Sequence, residues 1–195
     1  MKKFELTADS KVVLGRKLFR IKALVSFGRV KEGELGGYVE KEENLSHDGN
    51  AWVDGNAWVY GDALVYGNAR VDGNAWVYGN ARVYGDAWVY GNAWVYGNAW
   101  VYGDAWVGGN ARVGGNAWVG GNADYATVKG FGSEYRNTTF FRCKNGEIGV
   151  KCGCFIGNLE EFREKVKETH RDTKFAKEYL MIANLMEMHF KSEGN

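Results

Sequence analysis

From Gly49 to Asp124 one six-residue unit, Gly-(Asn/Asp)-Ala-X-Val-X, recurs without an insertion, with glycine at 49, 55, 61 and every sixth position to 121, thirteen hexads in all. A period this short builds a solenoid, in which each unit buries its apolar side only against the next. Within Ala51-Trp52-Val53, strand alternation puts Ala and Val on one side and Trp on the other. The small pair must face inward, because the inside of a thin solenoid has no room for an indole. Gly55 and Asn56 then make the corner: glycine accepts positive φ, and the Asn or Asp side chain is expected to bond nearby backbone amides. Three hexads per coil close a triangular prism. Thirteen hexads then give about four coils, roughly 20 Å tall at ~4.8 Å per coil. Two hexads per coil, a flattened roll, is the competing geometry.

Val53, with Ala57 four residues on, is similar to the aliphatic and small positions of the hexapeptide repeat of left-handed β-helices. In that family a glycine usually follows the aliphatic residue directly; here Tyr or Asp mostly holds the place, with Gly one position later. The Gly-Asn-Ala-X-Val-Tyr text resembles a group of phage and prophage solenoid proteins labelled polymer-forming or hexapeptide-transferase-like. The flanks resemble that group too, at Gly33-Glu34-Leu35-Gly36-Gly37-Tyr38 and Cys152-Gly153-Cys154-Phe155. The resemblance implies a left-handed winding and a gene product acting inside an infected bacterium. It imports no activity.

The expected fold class is mainly β: a triangular β-solenoid of six-residue repeats with a small α+β C-terminal cap. Residues 1–48 form an N-terminal β cap and first imperfect coil, 49–124 the solenoid, and 125–195 a C-terminal ββαα cap. In the first segment Lys17–Leu24 partly alternates, and Glu34-Leu35-Gly36-Gly37 breaks the chain before the first coil. Val39 and Leu45 lie six and twelve residues before Ala51, in phase with its inward position. Thr138–Arg142 and Glu147–Lys151 read as strands around Asn145-Gly146, a two-residue hairpin signal that sets Cys143 opposite Ile148 and Cys152 opposite Thr139. Asn158 with Glu161 forms a capping box for one helix, and Asp172 caps a second with Phe175, Tyr179, Ile182, Leu185, Met186 and Phe190 toward the core.

The chain carries 25 Lys and Arg against 24 Asp and Glu, so net charge points neither to a nucleic-acid binder nor to an acidic mimic. Most of these charges sit in the flanks. All eight tryptophans, Trp52, Trp58, Trp76, Trp88, Trp94, Trp100, Trp106 and Trp118, occupy the one outward slot, shared with Leu64, Arg70, Arg82 and Arg112. With three hexads to the coil the faces read Trp52, Arg70, Trp88, Trp106; Trp58, Trp76, Trp94, Arg112; and Leu64, Arg82, Trp100, Trp118. Each is an aromatic ladder with one arginine rung, able to lie over a neighbouring indole. The last slot is Tyr at 60, 66, 78, 84, 90, 96 and 102, then Gly at 108, 114 and 120. That switch is expected where the C-terminal segment folds back over the last coil.

Candidate chemistry is sparse. No histidine or inserted loop interrupts the hexads, so the histidine base of hexapeptide-repeat acyltransferases has no counterpart there, and no zinc site is indicated. His47, His170 and His189 read as structural or solvated. Cys143, Cys152 and Cys154, an odd number, read as buried thiols rather than a disulfide framework. Ser133, Arg136, Thr138 and Thr139 are the candidates for an anion or ligand site. No leader-like or membrane-spanning apolar run is read, and the expected location is the bacterial cytoplasm. The expectation is a non-enzymatic scaffold or binding module without cofactor or metal. It self-associates, or binds a host partner, through its aromatic ladders; such ladders also suit stacked sugar rings, whereas nucleic acid is disfavoured because the faces lack basic residues. The alternatives are a counter-defence protein binding a host protein or a small nucleotide signal, and an acyltransferase-like enzyme.

Overall fold

A computed structural model describes residues 1–191; the last four residues of the 125–195 segment lie outside the described residues. The first twelve hexads each contribute a two-residue strand, from Trp52–Val53 to Trp118–Val119, and the thirteenth becomes a short 3-10 turn over Asn122–Asp124. Up to Trp100–Val101 each pairs in parallel with the strand three hexads on, as in Trp52 beside Arg70, Trp58 beside Trp76 and Leu64 beside Arg82. The three resulting sheets have the face composition read from the sequence. A flattened roll would pair strands two hexads apart, so the triangular coil is the geometry realised. One face carries five parallel rungs and the other two carry four.

Every hexad Ala and Val from Ala51 to Val119 is buried, and these residues make one continuous core. Each buried valine contributes roughly 1.5–3 kcal/mol, so stability accumulates along the stack. The corner glycines from Gly49 to Gly115 hold φ between +59 and +72, a region in which a Cβ costs roughly 1–2 kcal/mol. The corner amides behave differently from expectation. They bond one another from coil to coil, as in Asn80 Nδ2 donating to Asn98 Oδ1 at 3.0 Å and Asn50 Nδ2 to Asn68 Oδ1 at 3.1 Å. Stacking brings identical side chains together, so an amide ladder forms.

Strands β1 (Phe4–Val13) and β2 (Arg16–Ala23) form an antiparallel hairpin, and β3 (Leu35–Val39) joins it to the Trp58–Val59 rung. Val39 and Leu45 do face inward, but opposite Val59 and Val65, two positions beyond the three-hexad spacing of the later rungs. They therefore fill the valine slot, not the alanine slot in phase with Ala51, because two extra residues lie between Leu45 and Trp52. Gly36 and Gly37 lie within β3 and are not a turn. A Cβ on Gly36 would strike Trp52 and Val53, and one on Gly37 would strike Val53 and the Ala57 carbonyl.

The C-terminal cap has four strands, not two: β4 (Tyr125–Phe131), β5 (Arg136–Arg142), β6 (Ile148–Cys152) and β7 (Phe155–Asn158), followed by α1 (Leu159–His170) and α2 (Lys174–Phe190). The β5–β6 hairpin is displaced by one residue from the expected register: Thr138 opposes Cys152 and Arg142 opposes Ile148. Its loop is Lys144-Asn145-Gly146, with Gly146 at φ +82, a three-residue turn ending in a left-handed glycine. Alternation along β5 sends Phe141 into the solenoid core and Phe140 into a second core with Val150, Phe162 and Tyr179. Asn158 Oδ1 accepts from the Glu161 amide at 2.9 Å and Glu161 Oε2 from the Asn158 amide at 2.8 Å, the expected capping box. The N-cap of α2 is Thr173 rather than Asp172, and Leu185 faces outward while Ala183 takes the core position.

The two ends of the stack are chemically opposite. In successive hexads the X, last-slot and corner Asn or Asp amides donate to the Ala, Val and Gly carbonyls of the next coil, as in Trp76 N to Ala93 O, Tyr78 N to Val95 O and Asn80 N to Gly97 O. The first coil is therefore left with carbonyls, and donors meet them. Lys3 Nζ reaches the Ala51 and Gly49 oxygens at 2.9 and 3.3 Å, and Asn44 Nδ2 the Ala63 and Gly61 oxygens at 2.8 and 3.0 Å. The last coil is left with amides, and acceptors meet several of them. Asn122 Oδ1 accepts from Trp106 N, Thr139 Oγ1 from Arg112 N and Asp124 Oδ2 from Gly120 N. Leaving such a group unpaired costs about 1–3 kcal/mol. Thr139→Val, nearly isosteric, should lose about 1–3 kcal/mol in urea unfolding, while Thr139→Ser should stay within about 1 kcal/mol of the parent. Equal losses in the two variants would contradict this role.

Candidate interaction surface

Because the outward slot returns to the same face every third hexad, indoles stack directly. On the second face Trp58, Trp76 and Trp94 stack with centroids 4.5 and 4.7 Å apart, the first pair inclined by 27° and the second by 4°, closed by the Arg112 guanidinium 4.2 Å over Trp94. Beside them Tyr60, Tyr78 and Tyr96 stack at 5.0 and 5.3 Å. On the third face Arg82 lies 5.6 Å over Trp100, and Trp100 and Trp118 meet edge to face at 5.9 Å and 77°. On the first face Arg70 lies 6.0 Å over Trp88, and Trp88 Nε1 donates to Asp72 Oδ2 at 2.7 Å. Each arginine rung thus packs on an indole, as read from the sequence.

The ladders are less open than the sequence alone suggests. Trp52 is 1 % exposed, capped edge-on by Phe27 at 5.5 Å, and cannot meet a partner. The other tryptophans are half-buried, except Trp106, which is 50 % exposed. Gly108, Gly114 and Gly120 have a different cause from the one expected. A methyl group on each would strike the ring of Tyr90, Tyr96 or Tyr102, which leans over it from the preceding coil. The cap does fold over this coil as well, through Tyr125, Asp124 and Thr139.

The four candidates for an anion site do not converge. Thr138 and Thr139 are consecutive on β5 and face opposite ways: Thr138 Oγ1 donates to Cys152 Sγ at 3.1 Å, whereas Thr139 serves the last coil. Ser133 and Arg136 do line one cavity of about 300 Å³ in the cap, with Lys165, Thr169, His170 and Tyr179. Arg136 is already engaged with Glu134 at 3.5 Å. Cys143 and Cys152 are half-buried, and burial pushes the Cys143 thiol up; Cys154 is exposed, contrary to expectation. His47 accepts from the Lys3 amide, bonds Glu42 and stacks on Phe4, all structural roles. Among the described residues no three His, Cys, Asp or Glu side chains gather as they would around a metal, and no helix is long and apolar enough to cross a membrane.

One feature was not read from the sequence. The β5–β6 loop overhangs the third face and closes a cleft of about 600 Å³ lined by Asn98, Trp100, Asn116, Trp118, Lys144 and Asn145. The Asn145-Gly146 turn was visible, but its place against the ladder depends on the docking of β5, through the Ala117–Cys143 bridge and the Lys144 amide on the Asn116 carbonyl.

Burial within the stacks pushes the Tyr60 and Tyr96 phenols up to about 12 and raises Tyr78 and Tyr84. The folded state keeps protons that the unfolded chain gives up near pH 10. The stability tied to them is complete below pH 10 and lost as pH rises toward 12. Phenolate absorbance should show a late step near pH 12 that shrinks in Tyr60→Phe and Tyr96→Phe; titration of every tyrosine near pH 10 in the folded protein would contradict the stacking.

A comparison with curated proteins gives no match. Residues 63–79, 75–91, 87–103 and 93–109 match the family described as the YdcK beta solenoid repeat. These matches lie within the hexads and leave both caps outside. On the repeat, the register and this match together, the chain is a repeat β-solenoid protein.

Proposed function

We propose that the protein is a non-enzymatic scaffold or binding module that associates laterally through its aromatic faces. The observation that carries this reading is Trp106, half exposed at the end of the first-face ladder beside Trp88 and the most open indole of the three ladders. The cap side chains seated on both ends of the stack support side-by-side over end-to-end association, since an open sheet edge is what templates stacking. The resemblance to phage and prophage solenoids supports action in the cytoplasm of a bacterial host and a left-handed winding. An acyltransferase reading is weaker, because all three histidines lie outside the hexads. The cap cavity at Ser133, Arg136 and His170 favours a second reading, a counter-defence protein that binds a host protein or a small nucleotide signal there.

Native mass spectrometry and light scattering should show a defined oligomer at micromolar concentration. Trp106→Arg should shift it toward monomer without changing the circular dichroism spectrum. A parent protein that stays monomeric would overturn self-association.

A further inference from the structure

The cleft on the third face differs from the other cavities in its chemistry. No carboxylate lines it, whereas the cavities beside His47, beside Asn158 and in the cap each carry at least one glutamate. Its free polar groups are donors. Lys144 Nζ makes no ion pair among the described residues and lies 5.6 Å over the Trp118 ring. Asn116 accepts from Asn98 through Oδ1, and Asn145 accepts from the Glu147 amide through Oδ1, so each keeps its amide N–H groups for a ligand.

A site of donors above two indoles calls for a ligand rich in acceptors with an apolar ring face. The indole rings cross at 77° and form an angled floor rather than a parallel slot. A flat base needs the slot; a puckered ring fits the angle, with its C–H edges, which carry partial positive charge, against the negative π-faces. A volume near 600 Å³ falls in the roughly 300–1,000 Å³ range of small-ligand clefts.

We infer that this cleft binds an acidic sugar unit, a hexuronate within a glycan, with its ring against Trp118 and Trp100, its carboxylate at Lys144 and its hydroxyls on Asn116 and Asn145. The site lies on a different face from Trp106 and does not depend on self-association.

Isothermal titration of the full chain with digalacturonate tests it. The expected Kd is about 0.1–1 mM, weakened about tenfold for the neutral disaccharide of the same linkage and by Lys144→Gln. Lys144 is exposed, so that variant keeps the fold, and Trp106→Arg should bind as the parent does. Absence of binding up to about 10 mM would overturn the assignment. So would unchanged affinity in Lys144→Gln, or a tetra-aspartate peptide binding as tightly as the uronide, since that would show charge capture without ring recognition.

Discussion

The parallel hydrogen-bond ladder between strands three hexads apart is what the rest of this molecule depends on. It fixes the pitch, so that the inward slot has room for alanine and valine and the outward slot alone can hold an indole. It also brings like side chains into register, which is why tryptophans, tyrosines and corner asparagines each form columns. A glycine at each corner keeps those columns straight, because the left-handed φ there recurs without strain.

The same ladder has a direction, and the direction decides what each cap must be. Carbonyls at the first coil are met by a buried lysine and an asparagine amide; amides at the last coil are met by a carboxylate, a hydroxyl and a side-chain carbonyl. Lys3 shows the cost of this arrangement: burial holds its ammonium down at about 8 although two carbonyls accept from it. With side chains of both caps seated on these groups, the open surface left for a partner is lateral. The ladders on that surface are partly spent on themselves, since arginine rungs and neighbouring tyrosines cover much of the indole area. What remains is Trp106 on one face and the overhung cleft on another.

The solenoid was legible because one periodicity dictates everything inside it: faces, inward slots and arginine–indole pairs all derive from the hexad. Legibility fails where the period does. Val39 and Leu45 point inward as read, but the two extra residues before Trp52 change their slot, and nothing local in Ser46-His47-Asp48 announces that. The one-residue difference in the β5–β6 hairpin arises because Asn145-Gly146 signals a two-residue turn whereas Gly146 closes a three-residue one. Thr138 and Thr139 are neighbours in sequence, but a strand sends neighbours to opposite faces, so their hydroxyls serve different cores. The switch to glycine at 108, 114 and 120 is plain in the sequence, but its cause, rings leaning from the coil before, needs three dimensions.

Cysteine cross-linking tests the three-hexad register most directly. In a background with the three native cysteines replaced by serine, Asn80→Cys with Asn98→Cys should oxidise readily to an intramolecular disulfide, since adjacent rungs lie ~4.8 Å apart and disulfides span Cα separations of about 4.4–6.8 Å. Asn80→Cys with Asn92→Cys should not. Efficient bridging of the second pair and none of the first would mean two hexads per coil, and the faces, ladders and cleft would all be wrong.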